Sequence, residues 1–230
     1  MVDKNSIFVI NRYNCRLGLQ WDERDPVLGS DAGEMITHIV LDMGGVLVGL
    51  QWRERMEGLL GRDLPLQELH HLWISSSSTV DFESGRTEFD QFTQAFLQEF
   101  DLDIDPVFFQ QEFLELVQEP LPRCQTVLQD IKARFHLSLL SNTNPAHYEK
   151  LSRCYNFFPT FDQLFLSYQL GYMKPSAAIF NHVITHLNTP AHTIAFFDDG
   201  ARNVESAKAA GMNAFRVDSP DEVWAIVQGL

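Results

Sequence analysis

The second half of the chain alternates short apolar runs with longer amphipathic segments, and this alternation restricts the fold more than any other feature. Beyond Pro122 the apolar runs have the length of typical strands, and the segments between them have helical periodicity. The strands are predicted at residues 136–140, 164–167, 193–197 and 214–217. The helices are predicted at residues 123–134, 146–154, 177–187 and 203–210, with a last one from Pro220. Because this alternation is typical of parallel strands joined by right-handed crossovers, we predict an α/β fold with a doubly wound parallel sheet.

The first strand of this sheet is predicted ahead of the alternating region, at residues 37–42. Its apolar run ends at Asp42 and is followed at once by Met43, Gly44 and Gly45. This pattern indicates a buried strand that leads into a tight loop. Asp42 is therefore expected at the carboxyl end of the strand.

Between residues 51 and 119 the periodicity is helical throughout, as the spacing of Phe92 and Phe96 illustrates. Turns are predicted at residues 61–65, 75–78 and 101–106, which divide the segment into four helices. We predict that this segment is a helical cap inserted after the first strand. Residues 35–50 and 120–230 are then the core domain.

Residues 1–34 have no periodic apolar face. Residues 6–10 have the pattern of a weak strand, and residues 21–34 are charged and contain glycine. We predict a loosely attached N-terminal extension. The alternative interpretation is that Met35 is the biological start of the protein.

Composition limits the classes of protein and partner. With 230 residues, of which 45% are hydrophobic, the chain is suited to one catalytic unit with a sizeable core. The formal charge of -14 argues against nucleic acids and anionic membranes, which bind clustered Lys and Arg. No stretch reaches the ~18 apolar residues of a membrane span, and the three cysteines form no CxxC pair. We expect a cytoplasmic protein, monomeric or weakly dimeric, whose partner is a small molecule.

Polar side chains follow three of the apolar runs, and another precedes a helix, at the edge where ligands of open α/β sheets collect. They are Asp42 after the first run, Ser141 and Asn142 after the second, Lys174 before the helix at 177–187, and Asp198 and Asp199 after the run at 193–197. Each residue alone has an ordinary explanation as a cap, a turn or a surface ion pair. Together, at one edge of one sheet, they predict an active site.

This set resembles the four motifs of the haloacid dehalogenase-like hydrolases over residues 36–230. The motifs are Ile39–Leu47 with Asp42, Leu139–Asn142, Lys174, and Phe196–Asp199 with Asn203. Within that superfamily the motifs are most similar to those of bacterial phosphatases acting on α-glucose 1-phosphate, and next to those of the phosphatase domain fused to epoxide hydrolases. The resemblance implies a phosphatase with a helical cap and an aspartyl-phosphate intermediate on Asp42.

The resemblance also implies a ligand set for a metal ion. Asp42, Asp199 and the Gly44 carbonyl would bind the ion directly, Asp198 directly or through water, and Asn203 would brace their loop. The residue types agree, because two adjacent carboxylates at a strand end repel each other unless a cation compensates. Mg²⁺ is the expected cofactor, since hard cations prefer oxygen ligands.

The remaining predicted site residues would hold the phosphate. Lys174 would offset negative charge and contact both Asp42 and a phosphate oxygen, and Ser141 with the Asn142 backbone N–H would hold another oxygen. Glycine at positions 44 and 45 would let the backbone approach the phosphate closely. The predicted catalytic residues are thus Asp42, Ser141 and Lys174, and the predicted phosphate-binding residues add Gly45 and Asn142.

Gly44 departs from the superfamily pattern, because most of its phosphatases have a second Asp two positions after the nucleophile as general acid and base. Without a positioned acid the rate is expected to fall by ~10²–10⁴-fold unless another group protonates the leaving oxygen. An anomeric oxygen is more acidic than an ordinary alcohol. This favours sugar 1-phosphates over sugar 6-phosphates as substrates.

Two other functions compete with the phosphatase. A hydrolytic dehalogenase would also have an Asp nucleophile without the second Asp, but it needs no metal, so Asp198 and Asp199 argue against it. A non-enzymatic binding module that keeps the fold is compatible with Gly44. Asp42, Lys174 and the acidic pair argue against this module.

Overall fold

The computed structural model of the protein describes residues 35–230. The predicted extension at 1–34, including the weak strand at 6–10, lies outside the described residues. Within them, none of the helices combines the length and hydropathy that a bilayer crossing demands.

The strands form two sheets. They are β1 (His38–Leu41), β2 (Val48–Leu50), β3 (Val117–Pro120), β4 (His136–Ser141), β5 (Gln163–Leu166), β6 (Ile194–Asp198) and β7 (Asn213–Arg216). Over residues 35–230 the main sheet is entirely parallel, in the order β5-β4-β1-β6-β7. This confirms the predicted α/β fold with a parallel sheet, and β1 lies at its centre.

Six helices belong to the sheet-bearing part. They are α6 (Cys124–Lys132), α7 (Pro145–Cys154), α8 (Ser167–Leu170), α9 (Ala177–Leu187), α10 (Ala201–Ala209) and α11 (Pro220–Val227). Three begin after a side chain that caps the free backbone N–H groups of the first turn, namely Asn144, Ser176 and Ser219. The predicted helices agree with these except for the short α8, which the sequence pattern did not reveal.

Strand β1 is apolar on both faces because the sheet is covered on both sides. Ile39 and Leu41 pack into one hydrophobic core, and Val40 between them packs into the other. Side chains alternate across a strand, so a continuous apolar run is what a central parallel strand requires. All three residues are fully buried.

Residues 51–116, between β2 and β3, contain a helical insert of five helices. They are α1 (Trp52–Leu60), α2 (Leu66–Ser75), α3 (Ser77–Glu83), α4 (Phe89–Glu99) and α5 (Pro106–Leu114). The predicted count of four helices was wrong, because the chain also turns at Gly85, whose φ of 70° is left-handed. The turn predicted at 75–78 is narrower than expected, since Ser76 alone separates α2 from α3 and caps α3 by accepting from Thr79 N–H.

The insert has a hydrophobic core of its own, separate from the two cores of the sheet. Phe82, Phe92, Phe96, Phe109 and Phe113 are all fully buried in it. The chain enters and leaves the insert through β2 and β3, which pair with each other in antiparallel fashion.

Candidate active site

Asp42 follows β1 at the carboxyl edge of the sheet. Its backbone N–H donates to the Phe197 carbonyl at 2.9 Å, so the ladder between β1 and β6 continues as far as this residue. Its carboxylate Oδ1 lies 2.7 Å from Lys174 Nζ. Asp42 is only 7% exposed, which makes this ion pair a largely desolvated one.

Lys174 connects two of the predicted site carboxylates. Besides Asp42, its Nζ contacts Asp198 Oδ2 at 2.6 Å. The side chain of Asn142 holds the lysine backbone in place, since Asn142 Nδ2 donates to the Lys174 carbonyl at 2.9 Å and Lys174 N–H donates to Asn142 Oδ1 at 2.8 Å. The end of β4 therefore positions the loop that carries Lys174.

Asp198 is the most completely bonded of the carboxylates. Its Oδ1 accepts from Gly200 N–H and from Asn203 Nδ2, both at 2.8 Å, while its Oδ2 accepts from Lys174. Asn203 thus lies in the bracing position that the family motif implies for it. Three donors leave Asp198 less free to rotate than Asp199.

One carboxylate oxygen from each of Asp42, Asp198 and Asp199 lies within 4.8 Å of the other two. Three oxygen ligands at this spacing, two of them from the buried Asp42 and Asp198, suit a hard divalent cation. Lys174 lies against Asp42 and Asp198, and the charge of Arg216 acts on Asp199, so the three carboxylates still exceed the nearby positive charge and favour a bound cation. The residues present therefore fit a metal ion of the Mg²⁺ type.

The charges of the site act strongly on one another. Burial, with the charges of Asp198 and Asp199, raises the pKa of Asp42 to about 8 even though Lys174 opposes the shift. Burial and the Asp198 charge likewise raise the pKa of Asp199. Burial lowers the pKa of Lys174, but Asp198 and Asp42 outweigh it and raise the pKa above its usual value. Added positive charge would thus favour the ionised form of Asp42.

The glycine pair after Asp42 has two different structural roles. Gly45 has a φ of 75°, and a Cβ there would lie 2.6 Å from Asp199 Oδ2, so only glycine fits without displacing that carboxylate. The Gly45 N–H donates to the Val48 carbonyl at 2.9 Å. Gly44 does not have a positive φ, and a Cβ at this position would lie 3.3 Å from the side chain of Leu50.

These motifs match a known family. The family model described as haloacid dehalogenase-like hydrolase matches residues 36–211, most of the chain. The chain belongs to this family. The family match agrees with the fold and with the carboxylates and lysine at the sheet edge.

Similar proteins include phosphatases. A D-ribitol-5-phosphate phosphatase of Bacteroides thetaiotaomicron is 27% identical over 80% of this chain and 93% of its own length. A sesquiterpene phosphatase of Aspergillus oryzae is 25% identical over 75% of this chain and 85% of its own length. A family enzyme of B. thetaiotaomicron, solved with magnesium and inorganic phosphate, has a TM-score of 0.67 and 21% identity over 79% of this chain and 93% of that chain.

Ser141 is the last residue of β4 in this hydrolase, and the loop after this strand begins at Asn142. Ser141 is buried, and its hydroxyl lies 3.3 Å from the Asn142 carbonyl. Sequence reasoning missed Ser167, whose hydroxyl accepts from Thr143 N–H and donates to the Thr143 carbonyl, both at 2.9 Å. Its position directly after β5, at the same edge of the sheet, was the available signal.

Glu83 in the helical insert was also missed. It is only 8% exposed, and burial raises the pKa of its carboxyl to about 7, although a hydrogen bond from Trp73 and the charge of Lys174 oppose the shift. The signal in the sequence was weak, because a single Glu at the end of a helix is usually exposed to solvent.

Proposed function

We propose that this hydrolase is a Mg²⁺-dependent phosphatase of small phosphorylated metabolites, with Asp42 as its nucleophile. The observation that carries the proposal is the placement of Lys174 Nζ within 2.7 Å of Asp42 and within 2.6 Å of Asp198, beside the third carboxylate of Asp199. A buried nucleophile with an adjacent cation suits an anionic substrate. The phosphatases among the similar proteins support the same reaction.

The metal would be held by Asp42, Asp199 and the Gly44 carbonyl, with Asp198 binding directly or through water. When bound, Mg²⁺ supplies positive charge that offsets the charge of the phosphate. Lys174 contributes further positive charge, and Ser141 with the Asn142 backbone N–H orients a phosphate oxygen. The backbone of Gly45 lets the loop approach the phosphate.

The reaction would then proceed in two displacements. A carboxylate oxygen of Asp42 bonds to phosphorus while the bond from phosphorus to the leaving oxygen breaks, and the leaving oxygen takes up a proton, which gives an aspartyl phosphate and an alcohol. Water next attacks the phosphorus, the bond to Asp42 breaks, and inorganic phosphate is released. Asp42 returns to its starting state.

The helical insert, predicted at residues 51–119, would act as the cap that selects the substrate. The core domain, predicted at residues 35–50 and 120–230, would carry out the chemistry. Gly44 considered alone favours sugar 1-phosphates, because an anomeric oxygen leaves most readily without a proton. If another element supplied a proton donor, phosphates of primary alcohols, such as sugar alcohol phosphates, would also be substrates, because the donor would protonate their leaving oxygen. We place the reaction in the cytoplasm, in a monomer or weak dimer.

A phosphate of an apolar alcohol is a second candidate substrate. Leu50 is 45% exposed, and its side chain lies beside Gly44, where other family phosphatases have a carboxylate. An apolar surface next to the nucleophile suits an apolar leaving group. The sesquiterpene phosphatase among the similar proteins agrees with this candidate.

The test is a panel of phosphate monoesters assayed with Mg²⁺ and with excess chelator. The panel contains 4-nitrophenyl phosphate, sugar 1- and 6-phosphates, pentitol phosphates and a prenyl phosphate, with a 2-chloro acid to test for dehalogenation. We expect phosphate release that chelation abolishes. Undiminished hydrolysis in chelator would remove the metal from the proposal, and binding of a phosphate ester without turnover would favour the binding module.

A further inference from the structure

Most phosphatases of this family have their proton donor, an Asp, two positions after the nucleophile, and this chain has no carboxylate at that position. The residue at this position is Gly44. A Cβ on it would lie next to the apolar side chain of Leu50. The other acidic groups of the site are Asp42, Asp198 and Asp199, which the proposed function assigns to the nucleophile and the metal. A leaving alkoxide therefore needs a donor from another element.

The insert approaches the sheet edge at the end of α3. Gly85, two residues beyond Glu83, is so close to α8 that a Cβ on it would lie 2.0 Å from the Tyr168 carbonyl. Helix α8 begins directly after β5 and leads into the loop of Lys174. The backbone contact thus fixes the end of α3 at the edge of the sheet where the site lies.

Glu83 is the acidic residue at this end of α3. It is buried, and it lies near enough to Lys174 for the lysine charge to act on its carboxyl. Trp73 of α2 donates its indole N–H to Glu83, which gives the side chain a defined partner. One helical turn earlier on the same face, the buried hydroxyl of Thr79 has no hydrogen-bond partner in the described part of the chain. This face of α3 is therefore polar, buried and incompletely bonded.

We propose that Glu83 is the general acid of the reaction, replacing from the insert the carboxylate that is absent at position 44. The inference rests on the proposed phosphatase function. In the first displacement the proton passes from the Glu83 carboxyl to the leaving oxygen as its bond to phosphorus breaks, leaving Glu83 as a carboxylate. In the second displacement that carboxylate takes a proton from the attacking water, so both protons are accounted for.

The ionisation of Glu83 supports this role. A buried carboxyl with a pKa of about 7 is protonated in part of the molecules at neutral pH, as a proton donor must be. Lys174, the charged group that acts on it, and Trp73 both lower the pKa from the value that burial alone would give. The carboxyl therefore has a pKa near the pH at which it would work.

The experiment compares leaving groups in the full-length protein with Mg²⁺. Alcohol release is measured for 4-nitrophenyl phosphate and for phenyl phosphate, whose phenol is much less acidic, in the wild type and in Glu83→Gln. We expect the substitution to slow release of phenol by ~10²-fold, with 4-nitrophenol release much less affected and KM unchanged. Asp81→Asn is the matched control, because Asp81 is on the same helix but is 44% exposed and pairs with Arg86. It should change neither rate.

A second variant covers the case in which Glu83→Gln is poorly folded. Trp73→Phe removes the hydrogen bond that lowers the Glu83 pKa, so the alkaline limb of the phenyl phosphate pH profile should move to higher pH. An equal loss for both substrates in Glu83→Gln, an increase in KM alone, or an unmoved alkaline limb would overturn the role of Glu83. If the wild type hydrolyses neither ester, or if Asp42→Asn hydrolyses both normally, the proposed function itself is overturned.

Discussion

At the scale of single residues, the site depends on carboxylates in unequal environments. Asp42 is paired with Lys174 alone, whereas Asp198 accepts from Lys174, Asn203 and a backbone N–H. The less restrained carboxylate suits the nucleophile, and the more restrained one suits a structural role. Glu83 is a third kind, because it is buried on the helical insert and bonded to an indole.

Asp42→Asn should reduce phosphate ester hydrolysis by several orders of magnitude, because the nucleophile and one metal ligand are lost together. The amide is nearly isosteric, and it can still accept a hydrogen bond from Lys174, so the variant should fold. Single-turnover assays with circular dichroism as the folding control provide the measurement. Near-normal turnover would place the nucleophile at another residue.

Glu83→Gln should be more stable than the wild type at alkaline pH. The folded-state pKa of about 7 is above the ordinary value of 4.5, so the stability that protonated Glu83 contributes is full below pH 4.5 and is lost as pH rises through 7. Gln at position 83 does not ionise, so the variant does not lose this stability as the pH rises. We expect the melting temperature of the variant to exceed that of the wild type by roughly 2–4 °C at pH 8, with little difference at pH 4.5. An equal offset at both pH values would show that the carboxyl does not titrate in this range.

Gly44→Asp should restore turnover to Glu83→Gln. The backbone at position 44 needs no positive φ, and only the half-exposed side chain of Leu50 must shift by a few tenths of an ångström. Phenyl phosphate hydrolysis by the double variant should exceed that by Glu83→Gln by ~10-fold or more, because a carboxyl again adjoins the leaving oxygen. The single variant Gly44→Asp is the control, and failure of the double variant to recover despite normal folding would contradict the shared role.

At the scale of elements, the insert is nearly independent of the sheet in its packing. Its Phe-rich core is separate from both cores of the sheet. Two exceptions are Gly85, which lies against the Tyr168 carbonyl of α8, and His147 of α7, which stacks on Phe113 at 4.5 Å and hydrogen-bonds with its carbonyl at 2.8 Å. Lys150, one turn later, donates to the Leu114 and Val117 carbonyls. One end of the insert is thus attached to the helix that follows the loop of Ser141.

Removing the insert should affect substrate selection more than chemistry on an activated ester. The Gln51 N–H donates to the Leu116 carbonyl at 3.1 Å, so a short Gly-Ser linker can join these two residues without distorting β2 and β3. We expect the shortened protein to lose discrimination among sugar phosphates while retaining 4-nitrophenyl phosphate turnover. Removing the insert would expose the His147 ring that stacks on Phe113, so His147→Asn is introduced into the same protein. Unchanged selectivity would assign substrate choice to the core.

At the scale of the whole molecule, the fold was more predictable than the site. Apolar runs reveal parallel strands because both faces of the sheet are covered. Polar residues after those runs meet at one edge because the carboxyl ends of parallel strands lie on the same side of the sheet. The contributions of Glu83 and Leu50 were not predictable, since they depend on how α3 and β2 approach that edge. The fifth helix was missed because no sequence period marks the left-handed turn at Gly85.

Mg²⁺ should stabilise the whole protein by binding the folded state alone. At a concentration of Mg²⁺ about 100 times its dissociation constant, the melting temperature should rise by roughly 5–10 °C. Asp199→Asn should abolish this rise while leaving the fold intact, because Asp199 is the least restrained carboxylate of the three. A full shift in the variant would place the ion elsewhere. The full chain carries a formal charge of -14, so NaCl at equal ionic strength serves as a control for nonspecific cation effects.

Gly85 lies so close to the Tyr168 carbonyl that there is no room at position 85 for even one more carbon atom. Any side chain at position 85 would act as a wedge, since even a methyl carbon would be 2.0 Å from that oxygen. The wedge would hold α3 away from α8 and displace Glu83 from its buried position without altering that residue. On the proposed role of Glu83, a change from glycine to alanine here would thus slow the release of poorly activated alcohols while every motif of the family remained intact.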